Sequence, residues 1–216
     1  MSSFIDATEF EKVLTKTVAP SKIRECLVGN EYLSDVIFRL ADGEELRAHK
    51  MFLITSGPIF HKLFSDHQDV INLNLEWISK PTMLEVCRFI YSDILNIKDT
   101  NMMEIWSVAL KLEMKYLLEK TIDFICKSLN EKSVFQVLQT NLKHNDFRLN
   151  MKCFEFIQKN HKKCLQSEEF LHLPSDLLKI MLQTCKLPNK IAKEAAEKWE
   201  NNNSHEDIEV RIFPYL

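Results

Sequence analysis

Apolar and polar positions alternate with period two from Val36 to Leu40, where Val36, Phe38 and Leu40 are set off by Ile37 and Arg39. That spacing predicts a strand. Asp42-Gly43 supplies the residues of a tight hairpin turn, and Leu46 and Ala48 carry the alternation onto a return strand. Val70–Leu75 alternates again and predicts a third strand. From His49 the period changes to that of a helix. Met51, Phe52, Leu53 and Ile54 form an unbroken apolar block, so this helix is expected to be buried on most sides. Ser56-Gly57-Pro58 ends it and starts another, with Ser56 as N-cap, Pro58 in the first turn and Ile59, Phe60, Leu63 and Phe64 as its stripe.

Upstream, residues 1–19 read as weakly helical, with Phe10, Val13, Leu14 and Val18 on one side. A helix opening at Pro20-Ser21 runs through Ile23, Cys26 and Leu27 and stops near Gly29-Asn30. Downstream, Thr82-x-x-Glu85 has the form of a capping box, followed by Met83, Val86, Cys87 and Ile90. Helices are expected over 101–113 and 115–129. Thus 20–129 reads as a small sheet enclosed by helices. Beyond Asn130 the pattern is purely helical: 131–142, then a stripe of Phe147, Met151, Phe154 and Ile157, a short piece at Ser167–Leu173, a helix capped by Pro174-Ser175, and a last one with Ile191, Ala195 and Trp199 on one face. Short loops between successive helices predict helical hairpins. Asn201–Ser204 reads as a break, and Asp207–Leu216 as strand-like by alternation.

Composition narrows the chemistry more than the fold. The chain has 216 residues, 45% apolar and 27% charged, with a net charge of −3, so no overall basic field favours nucleic acid. Its three glycines, Gly29, Gly43 and Gly57, are too far apart for a phosphate-binding loop. Of the six cysteines, none forms a C-x-x-C pair, and most fall in apolar periodic stretches, as free thiols of a reducing compartment do. The first residues lack the apolar stretch of a secretory signal, and no apolar run approaches the roughly 20 residues of a membrane span. A cytoplasmic or nuclear protein is expected.

Candidate chemistry is sparse. Cys153, His161 and Cys164 have possible metal-ligand spacing but no second pair to complete a tetrahedral set, so packed thiols are the expectation. The basic cluster Asn160–Cys164 sits where cations meet a helix C-terminus. Met102, Met103, Trp106, Met114 and Tyr116 have helical spacing and are expected in the core, any exposed member marking a partner surface. No catalytic residue, cofactor site or metal site is assigned, and an enzyme is not expected.

"SDVIFRL", then "AHKMFLITSGPIFHKLF", then "FIYSDILNI" and the helices after it resemble the BTB (POZ) family, and "CFEFIQKNHKKCLQSEEFLHLPSDLLKIML" resembles the BACK domain that follows it in many members. The resemblance implies an α+β fold in four parts. These are an N-terminal extension at 1–19, a BTB/POZ domain at 20–129, a partial all-α BACK domain of helical hairpins at 130–200, and a tail at 201–216. It implies a homodimer whose interface uses Ile23, Cys26 and Leu27 of the first helix, with Asp35, His49 and Lys50 in a polar pocket near the seam. It further implies an adaptor role for a cullin-3-type RING ubiquitin ligase, with Phe64, His67, Asp69 and Tyr91 facing the cullin. In His67-Gln68-Asp69 a histidine stands where the family commonly has an apolar residue. The rival expectations are a transcriptional or scaffold regulator and a regulatory isoform that pairs with longer BTB proteins. Partners are then a second copy, a cullin scaffold, a longer BTB protein or a substrate protein, and neither nucleic acid nor membrane.

Overall fold

A computed structural model describes residues 20–65 and 70–203; the expectations for 1–19, for His67-Gln68-Asp69 and for 204–216 lie outside the described residues. The chain divides into two compact units between Thr121 and Ile122.

The first unit is α+β. Strands β1 (Val36–Leu40), β2 (Glu45–Ala48) and β3 (Ile71–Leu75) form one sheet in the order β2-β1-β3. β1 and β2 are antiparallel, with Val36 opposite Ala48, while β1 and β3 are parallel, with Val36 opposite Ile71. The parallel pair needs a crossover, and the connection from β2 to β3 carries α2 (Lys50–Leu53) and α3 (Pro58–Phe64). Alternation on the central strand is realised in full: Val36, Phe38 and Leu40 are buried, as are Leu46 and Ala48 beside them. Helix α1 (Pro20–Cys26) precedes the sheet, and α4 (Lys80–Ser92), α5 (Met102–Lys111) and α6 (Lys115–Ser128) follow it. Met83, Val86, Cys87, Ile105 and Trp106 close the core.

Local details depart from the pattern reading. The β1–β2 connection is a 3-10 turn over Ala41–Gly43 rather than a two-residue turn, and Gly43 takes φ +73° there. α2 is a single turn, too short to bury a whole apolar block: Leu53 is buried, but Met51 is 69% exposed. The N-cap of α3 is Gly57, with Pro58 at N1, because the Ser56 hydroxyl donates instead to Leu53 O at 2.6 Å. α4 opens at Lys80 after Ser79, so Thr82 lies inside the helix. The start of α4 is held by Glu104 of α5, which accepts from Ser79 N–H at 2.6 Å and from the Ser79 hydroxyl at 2.8 Å.

The second unit is helical throughout its described residues. It comprises the end of α6, then α7 (Ser133–Asn141), α8 (Phe147–Cys164), α9 (Glu168–Leu171), α10 (Ser175–Thr184) and α11 (Asn189–Asn203). Asn141 closes the α7–α8 hairpin, accepting from Asp146 N–H at 3.0 Å and donating to Asp146 O at 2.7 Å. Asp146 in turn caps α8 at Arg148 N–H. Leu149, Cys153, Phe154 and Ile157 face the core, whereas Phe147, expected in that stripe, is 72% exposed at the first position of α8. The first three residues of the break expected at Asn201–Ser204 are helical, and Ser204 lies outside the described residues. α11 continues to Asn203, whose side-chain amide donates to Leu171 O at 2.9 Å.

Candidate interaction surface

Asp35 and His49 fix the junction where the sheet hands over to α2. Asp35 donates its N–H to Ala48 O at 3.2 Å and accepts Ile71 N–H at 3.0 Å, so its backbone ties β1 to both neighbours. Its carboxylate then accepts Lys50 N–H at 2.7 Å, satisfying one of the donors that a helix start leaves open. His49 is extended, the last residue before α2.

The His49 ring is only 4% exposed and has partners on both nitrogens. Nε2 lies 2.7 Å from Tyr32 O, and Nδ1 lies 2.8 Å from the Tyr91 hydroxyl. A carbonyl only accepts, so Nε2 carries a proton donated to Tyr32 O, and Nδ1 pairs with the Tyr91 hydroxyl. The same hydroxyl oxygen accepts His49 N–H at 2.9 Å. Tyr91 is stacked on Phe52 with centroids 4.2 Å apart, and burial pushes its phenol far above the ordinary range. The network continues to α1: Asn30 accepts Tyr32 N–H at 2.8 Å and reaches Cys26 O at 3.5 Å.

This frame carries apolar side chains that the unit leaves in water. Leu33, in the left-handed region at φ 57°, is 76% exposed, one residue from the carbonyl that holds His49. Met51, two residues after His49, is also exposed, and Ile54 follows at the end of α2. Ile23, Cys26 and Leu27 of α1 are half-buried. Asp35, His49 and Lys50 do come together, but as a helix cap and a buried histidine. The acid contacts the backbone of Lys50, and the imidazole contacts Tyr91 and Tyr32. Leu33 and Met51 escaped the pattern reading because a one-turn helix and an isolated turn residue have no period from which to read a face.

Of the four residues expected to face a cullin, Phe64 and Tyr91 are buried, Phe64 stacked on Phe60 with centroids 5.8 Å apart. His67 and Asp69 lie outside the described residues. Leu63 and Val70, on either side of 66–69, are exposed. Tyr116 is the exposed member of the aromatic and methionine group; it stacks on Phe89 at 5.4 Å and borders a cleft of about 250 Å³ with Arg24 and Asp93.

The buried thiol of Cys87 is pushed up to about 12, which makes it a poor nucleophile near neutrality. Cys153 and Cys164 are buried in the second unit, and among the described residues no group of three or more metal-ligating side chains comes together. Nor is any described helix long and apolar enough to cross a membrane.

The sheet with its β2-β1-β3 order, the capped Asp35–Lys50 junction and the helices around them coincide with a match to the BTB/POZ domain family model over residues 27–129. Residues 27–129 are a BTB/POZ domain. Curated relatives of this chain include Kelch repeat and BTB domain-containing protein 4 of Mus musculus, 26% identical over 209 residues, which are 94% of this chain and 38% of the relative. Kelch-like protein 22 of Xenopus tropicalis is 23% identical over 158 residues, 72% of this chain and 24% of its own length. The influenza virus NS1A-binding protein homolog of Mus musculus is 25% identical over 186 residues, 80% of this chain and 29% of the relative. The chain therefore spans well under half the length of these proteins. A BTB domain is a protein-interaction module.

Proposed function

We propose that the chain is a dimerising adaptor of a cullin-3-type RING ubiquitin ligase. In this reading the BTB domain pairs with a second copy through α1, Leu33 and Met51. Residues 130–200 act as a BACK domain, and the surface around 64–70 meets the cullin. The observation that carries the reading is the exposure of Leu33 and Met51 on a backbone locked by His49. Solvent-facing apolar side chains gain about 1.5–3 kcal/mol each on burial, offset in part by the rotamer freedom they lose, and the His49 hydrogen bonds already hold the backbone between them.

For the cullin contact, the exposure of Leu63 and Val70 beside the His67–Asp69 segment supports the same placement. An imidazole buries less apolar area than an aliphatic side chain and costs more to desolvate. Direct titration against a purified cullin-3 N-terminal domain tests the reading. His67→Leu is expected to tighten binding about tenfold, from roughly 1–2 kcal/mol of added burial. Asp69→Ala is expected to weaken it by removing a hydrogen-bond acceptor at the rim. If neither the parent nor His67→Leu binds, the adaptor reading fails.

A further inference from the structure

The second unit holds a cleft of about 340 Å³, walled on one side by the C-terminal end of α8 and on the other by α11. α8 is kinked at Asn160 (φ −114°, ψ 22°), and the turn after the kink gives its basic side chains to the first wall. Each wall repeats one arrangement, a lysine and an apolar residue three positions apart, which share a helix face. On the first wall these are Lys162 and Leu165; on α11 they are Lys198 and Ala195, with Ile191 one turn further back. Leu165 and Ala195 are buried and Ile191 is half-buried, whereas both lysines are exposed. The Lys198 ammonium donates to Leu165 O at 3.0 Å, which holds its charge beside the apolar floor. Among the described residues, neither lysine has a carboxylate within ion-pair distance. The one acid on the cleft wall, Glu194, stands 4.0 Å from Lys190, which lies outside the cleft.

We propose that this cleft docks an extended acidic segment of another protein, in which one aliphatic side chain is flanked at i−2 and i+2 by carboxylates. Charge complementarity carries the assignment: two exposed ammonium groups, one from each wall, face a cleft whose acid is already matched. The floor adds the second requirement. A free anion would meet the lysines but leave Leu165, Ala195 and Ile191 uncovered, so the occupant brings an apolar group between its charges. Spacing follows from geometry. In an extended chain residues i−2, i and i+2 point to the same side, so the aliphatic side chain and both carboxylates can face the cleft together. They span roughly 13 Å at about 3.3 Å per residue. A helical occupant, about 10–12 Å across, is too thick for a cleft near the lower end of the roughly 300–1,000 Å³ typical of ligand pockets. The proposal depends on neither the pairing surface nor the cullin contact.

The test titrates the full chain into two fluorescein-labelled peptides of identical composition and follows anisotropy. The first reads Gly-Glu-Ser-Leu-Ser-Glu-Gly. The second reads Gly-Ser-Glu-Leu-Glu-Ser-Gly, and its carboxylates point away from the cleft when its leucine faces the floor. The first should bind saturably and about fivefold or more tighter than the second, the worth of two exposed ion pairs. Lys162→Glu should weaken the first peptide about fivefold or more and bring the two affinities together. Lys162 is exposed, so circular dichroism of that variant should match the parent. Lys143→Glu, an exposed lysine in the turn before α8 and so at the other end of that helix, is the control and should leave the preference intact. Equal affinities for the two peptides in the parent would mean attraction by charge alone and would overturn the proposal. Equal weakening by Lys162→Glu and Lys143→Glu would assign binding to the net charge of the unit and overturn it too. Failure of the first peptide to saturate at millimolar protein would remove the acidic segment as the occupant.

Discussion

A single hydroxyl holds His49 twice: the Tyr91 phenol accepts the His49 backbone N–H at 2.9 Å and stands 2.8 Å from its Nδ1, across 42 residues of sequence. The start of α2 is thereby pinned to the C-terminal turn of α4. The other ring nitrogen, bound to Tyr32 O at 2.7 Å, pins it to the segment that carries Leu33. One buried side chain thus sets the backbone positions from which both exposed apolar residues project.

Tyr91→Phe removes only an oxygen, yet it leaves His49 N–H and Nδ1 without this partner in a dry site. An unsatisfied buried polar group costs about 1–3 kcal/mol, so the variant should lose stability in at least that range. Urea unfolding followed by tryptophan fluorescence measures it. A loss below about 0.5 kcal/mol would mean that the pair does not hold this junction.

Alanine should destabilise at both Gly43 and Gly57, but for different reasons. At Gly43 the backbone sits at φ +73° with nothing within 4 Å of an added Cβ, so the cost is conformational, about 1 kcal/mol. Gly57 is extended, a conformation any residue adopts, but its Cβ would stand 3.2 Å from Leu112 O and 3.3 Å from Glu113 O. Backbone atoms cannot swing aside, and overpacking of this kind costs about 1–3 kcal/mol. Asparagine discriminates between the two, because it tolerates the left-handed region but not the crowding. Gly43→Asn should retain more stability than Gly43→Ala, whereas Gly57→Asn should be no better than Gly57→Ala.

Strand alternation and the long helical stripes were legible because burial repeats there over several residues. Val36, Phe38 and Leu40 on β1, and Leu177, Leu178, Met181 and Leu182 on α10, are buried as their spacing implies. What escaped was local or nonlocal in ways that periodicity does not record. The first position of α8 points Phe147 outward although the residue fits the stripe. Glu104 secures the start of α4 from another helix, so Thr82-x-x-Glu85 has no cap to make. The His49–Tyr91 pair needs the fold before it exists. The apolar residues around His49 were half legible: α1 has a recognisable face, while Met51 stands in an unbroken apolar block that reads as buried and Leu33 is an isolated turn residue.

Stability should fall in alkali because of the thiols. Burial pushes Cys87 and Cys185 up to about 12 and Cys164 up to about 11, from an ordinary value of 9.0. Below pH 9 the thiols are protonated in both folded and unfolded chains and contribute no slope. Between pH 9 and the folded values the unfolded chain has lost protons that the folded chain keeps, so unfolding becomes easier as pH rises. Each such thiol contributes up to about 1.4 kcal/mol per pH unit over that window. Denaturation midpoints from pH 7 to 11 should be flat and then decline, and Cys87→Val should make the decline shallower. An unchanged slope in that variant would count against the buried-thiol account of Cys87.

Met51→Glu should convert a dimer to a monomer without unfolding it. The side chain is 69% exposed in the single chain, so a glutamate there meets water and leaves the core of the folded unit intact. In a dimer that covers α1, Leu33 and Met51, the same glutamate would be desolvated opposite apolar side chains of the second copy. Two such charges per symmetric interface, one from each chain, make the penalty several kcal/mol, because a buried unpaired carboxylate is far dearer than a lost methionine. Sedimentation velocity at micromolar concentration reads mass directly, and the parent should sediment as a species of twice the 25.4 kDa chain mass. The variant should sediment at the chain mass with unchanged circular dichroism, and Leu33→Glu should behave alike. Ile180→Glu, another exposed apolar position but in the helical second unit, is the control and should leave the dimer intact. A parent that is monomeric at these concentrations, or a Met51→Glu variant that remains a dimer, would remove Leu33 and Met51 from the pairing surface.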